Sequence, residues 1–139
     1  MDTPTVFEQI IAGDIPSHMV YESDTISAFL DANPLAVGHT LVVPHEPYER
    51  LTDVPETTRI DLWTTVHKLL PAIESAVEAD ATTVGVNDGS EAGQEVPHVH
   101  IHIIPRFEDD NGSPIHAVVN QRPDLGQSEL ETIAETIRS

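Results

Sequence analysis

The run His98-Val99-His100-Ile101-His102-Ile103-Ile104 constrains this chain more than any other segment. Side chains of a strand alternate between its faces, with same-face neighbours about 6.6–7 Å apart. As a strand, the run sends Val99, Ile101 and Ile103 into a core and aligns three of the chain's eight histidines on the opposite face. Each imidazole needs a hydrogen-bond partner and none adds core packing, so a row of three points to chemistry.

Two chemistries fit the row. Imidazole is a common zinc ligand, and zinc enzymes often take two histidines from alternate positions of a strand. A third ligand on the same strand lies about 13 Å from the first, however, and cannot easily share one ion with it. Alternatively, the middle imidazole attacks an electrophile while its neighbours orient it and hold anionic oxygens. The preceding loop, Asn87-Asp88-Gly89-Ser90-Glu91-Ala92-Gly93, suits the second reading, because small residues let backbone N–H groups approach a phosphate.

The rest of the chain predicts an α+β domain. A short helix is expected over residues 3–12, with Thr3 as its cap, Pro4 in its first turn, Gly13 at its exit, and Phe7, Ile10 and Ile11 on its buried side. Residues 19–22, 25–30 and 39–43 read as three strands of an antiparallel meander. Ile60, Trp63, Val66, Leu70, Ile73 and Val77 recur at three- and four-residue intervals, marking an amphipathic helix over residues 56–79 that Pro71 should kink. Fourth and fifth strands are expected at residues 82–87 and 97–104. Residues 111–126, with two prolines, read as loop, and a last helix follows, with a capping box at Ser128 and Glu131 and an apolar face of Leu130, Ile133, Ala134 and Ile137.

At 139 residues the chain fits one domain. Its 24 acidic residues face six basic ones, Lys68 being the only lysine, for a formal net charge of −18. The 39% of hydrophobic residues and their periodicity argue for a folded core with an acidic surface, not for disorder. That surface repels nucleic-acid phosphate and anionic membranes, so neither is expected as a partner. It suits concentrated salt, as in an extreme halophile, where the Debye length falls to about 3 Å at 1 M. With no cysteine there is no disulfide, thiolate nucleophile or thiolate metal site. No leader-like start and no apolar run of about 20 residues is present, and the cytoplasm is the expected location.

The pattern His-φ-His-φ-His-φ-φ at residues 98–104 resembles the signature of the histidine triad (HIT) family of nucleotide-binding proteins and hydrolases. The resemblance extends in order through Phe7-x-x-Ile10-x-x-Gly13-x-Ile15-Pro16-Ser17, Ala28-Phe29-Leu30-Asp31-x-x-Pro34, Gly38-His39-x-Leu41-Val42-Val43-Pro44 and Asn87-x-Gly89-x-x-x-Gly93-Gln94. It covers residues 5–107 and leaves the tail, residues 108–139, unmatched.

The resemblance implies a HIT-like fold, a five-stranded antiparallel sheet with flanking helices, and commonly a homodimer. It implies cleavage of purine nucleoside phosphoramidates or dinucleoside polyphosphates at the α-phosphate, without cofactor, through a nucleotidyl-histidine at His100. By the same resemblance His102 contacts the phosphate and assists the leaving group, while His98 and His39 form a hydrogen-bonded relay. Asn87 and Gln94 hold phosphate oxygens, Asp31 binds the ribose hydroxyls, and Phe7, Ile10 and Phe29 form a slot for the base. Taken singly, Asp31 is a turn carboxylate, Phe7, Ile10 and Phe29 are core, and His39 caps a strand.

Some relatives hold zinc with an N-terminal Cys-x-x-Cys pair, a histidine after the third strand and a triad histidine. Here Thr5, Glu8 and Pro47 stand at the first three places, so no metal is expected. Glu95 stands where many relatives place a hydroxyl facing the phosphate, and sets a carboxylate beside an anionic substrate. Ile104-Pro105-Arg106 departs from the Leu-Gly-Gly-Arg of the phosphoramidase branch and looks more like the dinucleoside-polyphosphate-hydrolase and prokaryotic branches, leaving the preferred leaving group open. A nucleotide-binding module without turnover and a metal-dependent enzyme are the rival readings.

Overall fold

The computed structural model describes residues 3–139. In chain order the elements are α1 (Val6–Ala12), β1 (Met19–Glu22), β2 (Ile26–Leu30), β3 (Thr40–Pro44), α2 (Glu56–Val77), β4 (Ala81–Gly85), β5 (Ile101–Arg106) and α3 (Gln127–Arg138), with 3-10 turns between several of them. The strands form one antiparallel sheet in the order β1-β2-β3-β5-β4, so the histidine-bearing strand lies between β3 and β4. The expected α+β architecture and five-stranded antiparallel sheet are therefore present.

Strand alternation divides the core into two layers. Ile26, Ala28, Val42, Ile101 and Ile103 face α2 and pack against Leu62, Val66, Leu69 and Ile73. On the other face Phe29, Leu41 and Val43 pack against Phe7 of α1, with Ile10 and Ile11 at the margin. His102 lies on this second face, across from Leu41 in the pairing of β3 with β5, and His100 lies against Phe7 beside it.

Several sequence expectations shift. Helix α1 is capped by Thr5, not Thr3: the Thr5 hydroxyl accepts the Glu8 N–H, and Glu8 Oε1 accepts the Thr5 N–H in return. Helix α2 continues through Pro71, and its buried stripe is Leu62, Thr65, Val66, Leu69 and Ile73. Ile60 and Trp63 are 55% and 43% exposed. The helix is apolar on two sides, and the sheet takes only one. Strand β5 begins at Ile101, because residues 98–100 bond outside the β3 ladder: the Val99 N–H goes to the Tyr48 carbonyl. Helix α3 begins two residues earlier than a Ser128 cap implies, with Glu129 accepting the Gly126 N–H. Its expected apolar face finds nothing to pack on, leaving Leu130, Ile133 and Ile137 exposed.

Gly38 positions the residue that follows it. Its φ of +88° is left-handed, and a Cβ there would meet Val77 Cγ1 at 2.8 Å. This turn delivers His39 to the start of β3. Among the described residues no helix is long and apolar enough to cross a membrane.

Candidate active site

His98 is an anchor. Fully buried, it places Nε2 2.8 Å from the Pro44 carbonyl and Nδ1 2.7 Å from the Thr5 hydroxyl. The carbonyl only accepts, so Nε2 carries the ring proton and Nδ1 accepts from Thr5. Burial lowers its pKa, and the ring is held neutral with both nitrogens engaged.

His100 is oriented through the same residue. Its Nδ1 donates to the His98 carbonyl at 2.8 Å, which leaves the Nε2 lone pair unclaimed by the protein. The Phe7 ring meets it edge-on with centroids 4.9 Å apart, and the His102 ring lies 5.0 Å away.

His39 and His102 form the second unit. The Leu35 N–H donates to His39 Nδ1 at 3.0 Å, so His39 carries its proton on Nε2 and gives it to His102 Nδ1, also at 3.0 Å. His102 is left with an Nε2–H. Burial, with His100 and His39 as neighbours, lowers its pKa to about 4, and burial likewise lowers that of His39. Both rings are neutral at pH 7 and His102 is a hydrogen-bond donor. The expected His98–His39 relay is corrected: His98 pairs with Thr5 and Pro44, and His39 with His102. His98 lies before β5 and His39 just before β3, and the acceptor nitrogen of each ring is already taken, by the Thr5 hydroxyl and by the Leu35 N–H.

Asp31 reaches this unit, with Oδ2 3.6 Å from His39 Nε2, while its Oδ1 accepts the Asn33 N–H at 2.8 Å. It is both turn carboxylate and site residue. Asp31, His39 and His102 bring ligand atoms within 4.8 Å of one another, a spacing open to a metal. The Leu35 N–H argues against one: it occupies the Nδ1 lone pair of His39, and its Nε2 holds the proton that a ligand must lose.

The loop before the histidines is self-contained. Gln94 accepts the Gly89 N–H on Oε1 and donates from Nε2 to the Glu49 and Val96 carbonyls, at 2.7–3.0 Å. Its amide is spent, so the expected phosphate contact is corrected: Gln94 shapes the loop. Arg50 pairs with Asp88 at 3.0 Å and lies over Gly89, where φ is +102° and a Cβ would meet Arg50 Cζ at 3.2 Å. Asn87 is exposed and lines a cleft with His102, and Glu95 is exposed. Of the expected base slot, Phe29 and Phe7 are core, at 2% and 6% exposure, with rings 5.7 Å apart. Ile10 is half-buried at its margin.

Sequence reasoning missed the parts played by Thr5, Leu35 and Arg50. The spacing Thr5-x-x-Glu8 signals the first. A backbone amide and a pair separated by 38 residues leave no local signal.

Comparison with known proteins agrees with this geometry. The HIT domain pattern matches residues 12–109. An uncharacterized HIT-like protein of Methanocaldococcus jannaschii is 44% identical over 105 residues, covering 76% of this chain and 81% of that protein. The asymmetrical bis(5'-nucleosyl)-tetraphosphatase of Schizosaccharomyces pombe is 41% identical over 96 residues, 69% of this chain and 53% of that enzyme. A crystal structure of a HIT family member from Bacillus subtilis superposes with a TM-score of 0.86 at 32% identity, covering 98% of this chain and 96% of its own. With three aligned histidines on a HIT-like sheet and the family pattern spanning most of its length, the chain belongs to the HIT family.

Proposed function

We propose that the chain hydrolyses or transfers nucleoside monophosphates, cleaving nucleoside phosphoramidates or dinucleoside polyphosphates at the α-phosphorus through His100. The observation that carries this reading is the free Nε2 of His100, held by the His98 carbonyl beside the neutral donor His102.

The Nε2 lone pair of His100 forms a bond to the α-phosphorus as the bond to the leaving atom breaks. The departing atom takes the electron pair and, where it is nitrogen, a proton from water. The hydroxide so formed, or a second water, cleaves the phosphorus–His100 bond and releases nucleoside monophosphate. His102 Nε2–H donates to a phosphoryl oxygen throughout. A neutral imidazole that already donates to nothing else gives this bond without a change of protonation. Asn87 and the loop N–H groups hold other oxygens, Asp31 the ribose hydroxyls, and Ile10 with the edge of Phe7 the purine. Glu95 stands at the rim.

The proposed working form is a cytoplasmic homodimer of single-domain chains, residues 108–139 being part of the same domain. The exposed stripe of Ile60 and Trp63 on α2 supports a second copy. The net charge of −18 supports work in concentrated salt.

Incubation in high salt with adenosine 5'-phosphoramidate and with diadenosine polyphosphates tests the reading. AMP release by wild type that drops on the order of 10⁴-fold in His100→Ala is expected. Nucleotide binding without release in wild type would leave a binding module instead.

A further inference from the structure

One short stretch, residues 48–51, holds both the histidine row and the loop before it. The Tyr48 carbonyl accepts the Val99 N–H at 2.7 Å, between His98 and His100. The Glu49 carbonyl accepts Gln94 Nε2 at 2.8 Å, at the far end of the loop. At the near end Asp88 Oδ1 accepts the Leu51 N–H at 2.9 Å and Arg50 Nε at 3.0 Å, while Arg50 Nη2 lies 3.5 Å from Asp88 Oδ2.

The loop itself is closed by its own bonds. The Gly89 carbonyl accepts the N–H groups of Ala92 and Gln94, and the Ser90 carbonyl that of Gly93, at 2.9–3.2 Å. The Gly89 N–H in turn goes to Gln94 Oε1 at 2.7 Å. A loop bonded in this way moves as a body, so its distance from the histidines is set by its attachments at Asp88 and Gln94.

The attachment at Asp88 is the charged one, and it is shaped as well as charged. A Cβ on Gly89 would meet Arg50 Cζ, Nη1 and Nε at 3.2–3.4 Å, so the guanidinium lies flat against the glycine while its edge holds the carboxylate. Arg50 does not line the cleft that Asn87, Asp88 and His102 share. It grips the loop from behind. With Arg50 49% exposed and Asp88 27%, such a pair adds little to global stability, and its contribution is geometric.

We infer that Arg50, acting through Asp88, is a positioning residue that sets the loop of residues 87–94 at its working distance from His100, and thereby gives the site its preference for a nucleotide over the bare nucleoside. The inference rests on the proposed nucleotide chemistry at His100. Asn87 immediately precedes Asp88, so a fixed Asp88 fixes the backbone from which Asn87 reaches a phosphoryl oxygen. A displacement of about 1 Å in such a group can cost on the order of a hundredfold in rate. The nucleoside, on the Ile10 and Asp31 side, has no contact with this loop and is indifferent to its placement. Lysine does not substitute for Arg50, because an ammonium neither grips two oxygens nor lies flat over Gly89.

The test measures the affinities of AMP and of adenosine by calorimetry in molar KCl, where charge effects at a distance are screened, together with AMP release from adenosine 5'-phosphoramidate. Arg50→Gln is expected to weaken AMP binding about tenfold and to lower kcat, with adenosine affinity held within about twofold. Arg50→Lys should recover only part of the loss, and Asp88→Asn, whose amide oxygen still accepts the Leu51 N–H, should lose less than Arg50→Gln. The double variant Arg50→Gln/Asp88→Asn should lose no more AMP affinity than Arg50→Gln alone, since the two residues act through one contact. Equal losses for AMP and adenosine would mean a merely structural pair, and recovery of AMP affinity in the double variant would mean that charge and not position matters; either overturns the assignment while the proposed reaction stands. If wild type binds AMP but releases none from the phosphoramidate, the proposed reaction fails and the positioning role is judged on the binding ratios alone. If wild type binds no AMP, both fail.

Discussion

The Nε2 of His39 donates to Nδ1 of His102 across 3.0 Å, and the direction of that bond is set by the backbone N–H of Leu35 on the far side of the His39 ring. A chain of donors that starts at a peptide N–H has no proton to pass along, since the amide does not give its own up near neutral pH. The pair therefore fixes a tautomer: His102 always presents Nε2–H to the cleft. The same arrangement opposes a charge on His102, because a second ring proton would face the His39 donor head-on.

Replacing His39 separates this tautomer lock from simple packing. Glutamine can place an amide N–H where Nε2 stood, whereas leucine leaves His102 Nδ1 without a donor. An unsatisfied buried acceptor costs about 1–3 kcal/mol, equivalent to roughly 5- to 150-fold in rate if it falls on the transition state. His39→Leu is expected to lower kcat by that factor with little change in KM, and His39→Gln to recover most of it. Equal losses in the two variants would remove the donor from the argument.

Thr5 carries two bonds with one hydroxyl, accepting from the Glu8 N–H at 3.1 Å and donating to His98 Nδ1 at 2.7 Å. Loss of a cap costs about 1 kcal/mol and an orphaned buried acceptor about 1–3. Thr5→Val should therefore destabilise the fold by about 2–4 kcal/mol in urea titrations, and Thr5→Ser by under about 1. Because His98 in turn orients His100, the valine variant should also lose turnover under conditions where it remains folded.

How much of this was legible in the sequence differs by kind of interaction. The alternation at residues 98–104 placed Val99, Ile101 and Ile103 in the core, since strand geometry is local and repeats every two residues. The α2 stripe was misread because Ile60 and Trp63 fit a helical period as well as Leu62 and Leu69 do. Only the docking of the helix on the sheet decides which side is inward. The two ring-nitrogen partners of His98, Thr5 and Pro44, lie 93 and 54 residues away, and Gln94 is used up by carbonyls of Glu49 and Val96. Residue type suggests that such groups act. Only the fold says whether their lone pairs are free.

Acid should unfold this protein through its buried histidines. His39, His98 and His102 all have pKa values lowered by burial, His102 to about 4 against 6.5 when exposed. Between those limits the unfolded chain binds protons that the native state refuses, so stability is full above about pH 6.5 and falls as pH drops toward 4. Urea midpoints in high salt, where surface repulsion is screened, should decline across this window. A flat profile from pH 6.5 to 4 would show that the imidazoles titrate normally.

Salt should stabilise the chain and, separately, quiet Glu95. A net charge of −18 on 139 residues means that most surface carboxylates repel their neighbours, and the screening length falls from about 10 Å at 0.1 M to about 3 Å at 1 M. The ion pairs Arg50–Asp88 and Arg106–Asp110 are weakened by the same screening, but they are two against a surface of uncompensated charge. The urea midpoint should rise from 0.1 M to several molar KCl. Glu95 adds a local version of the same repulsion toward a bound phosphate. Two unit charges at 4 Å in water interact by about 1 kcal/mol, so Glu95→Gln should tighten AMP binding by at most about fivefold at low salt. That gain should vanish at high salt, because Glu95 is exposed and its field is screened along with the rest. A gain that persists in molar KCl would instead place the carboxylate against the phosphate, out of reach of solvent ions.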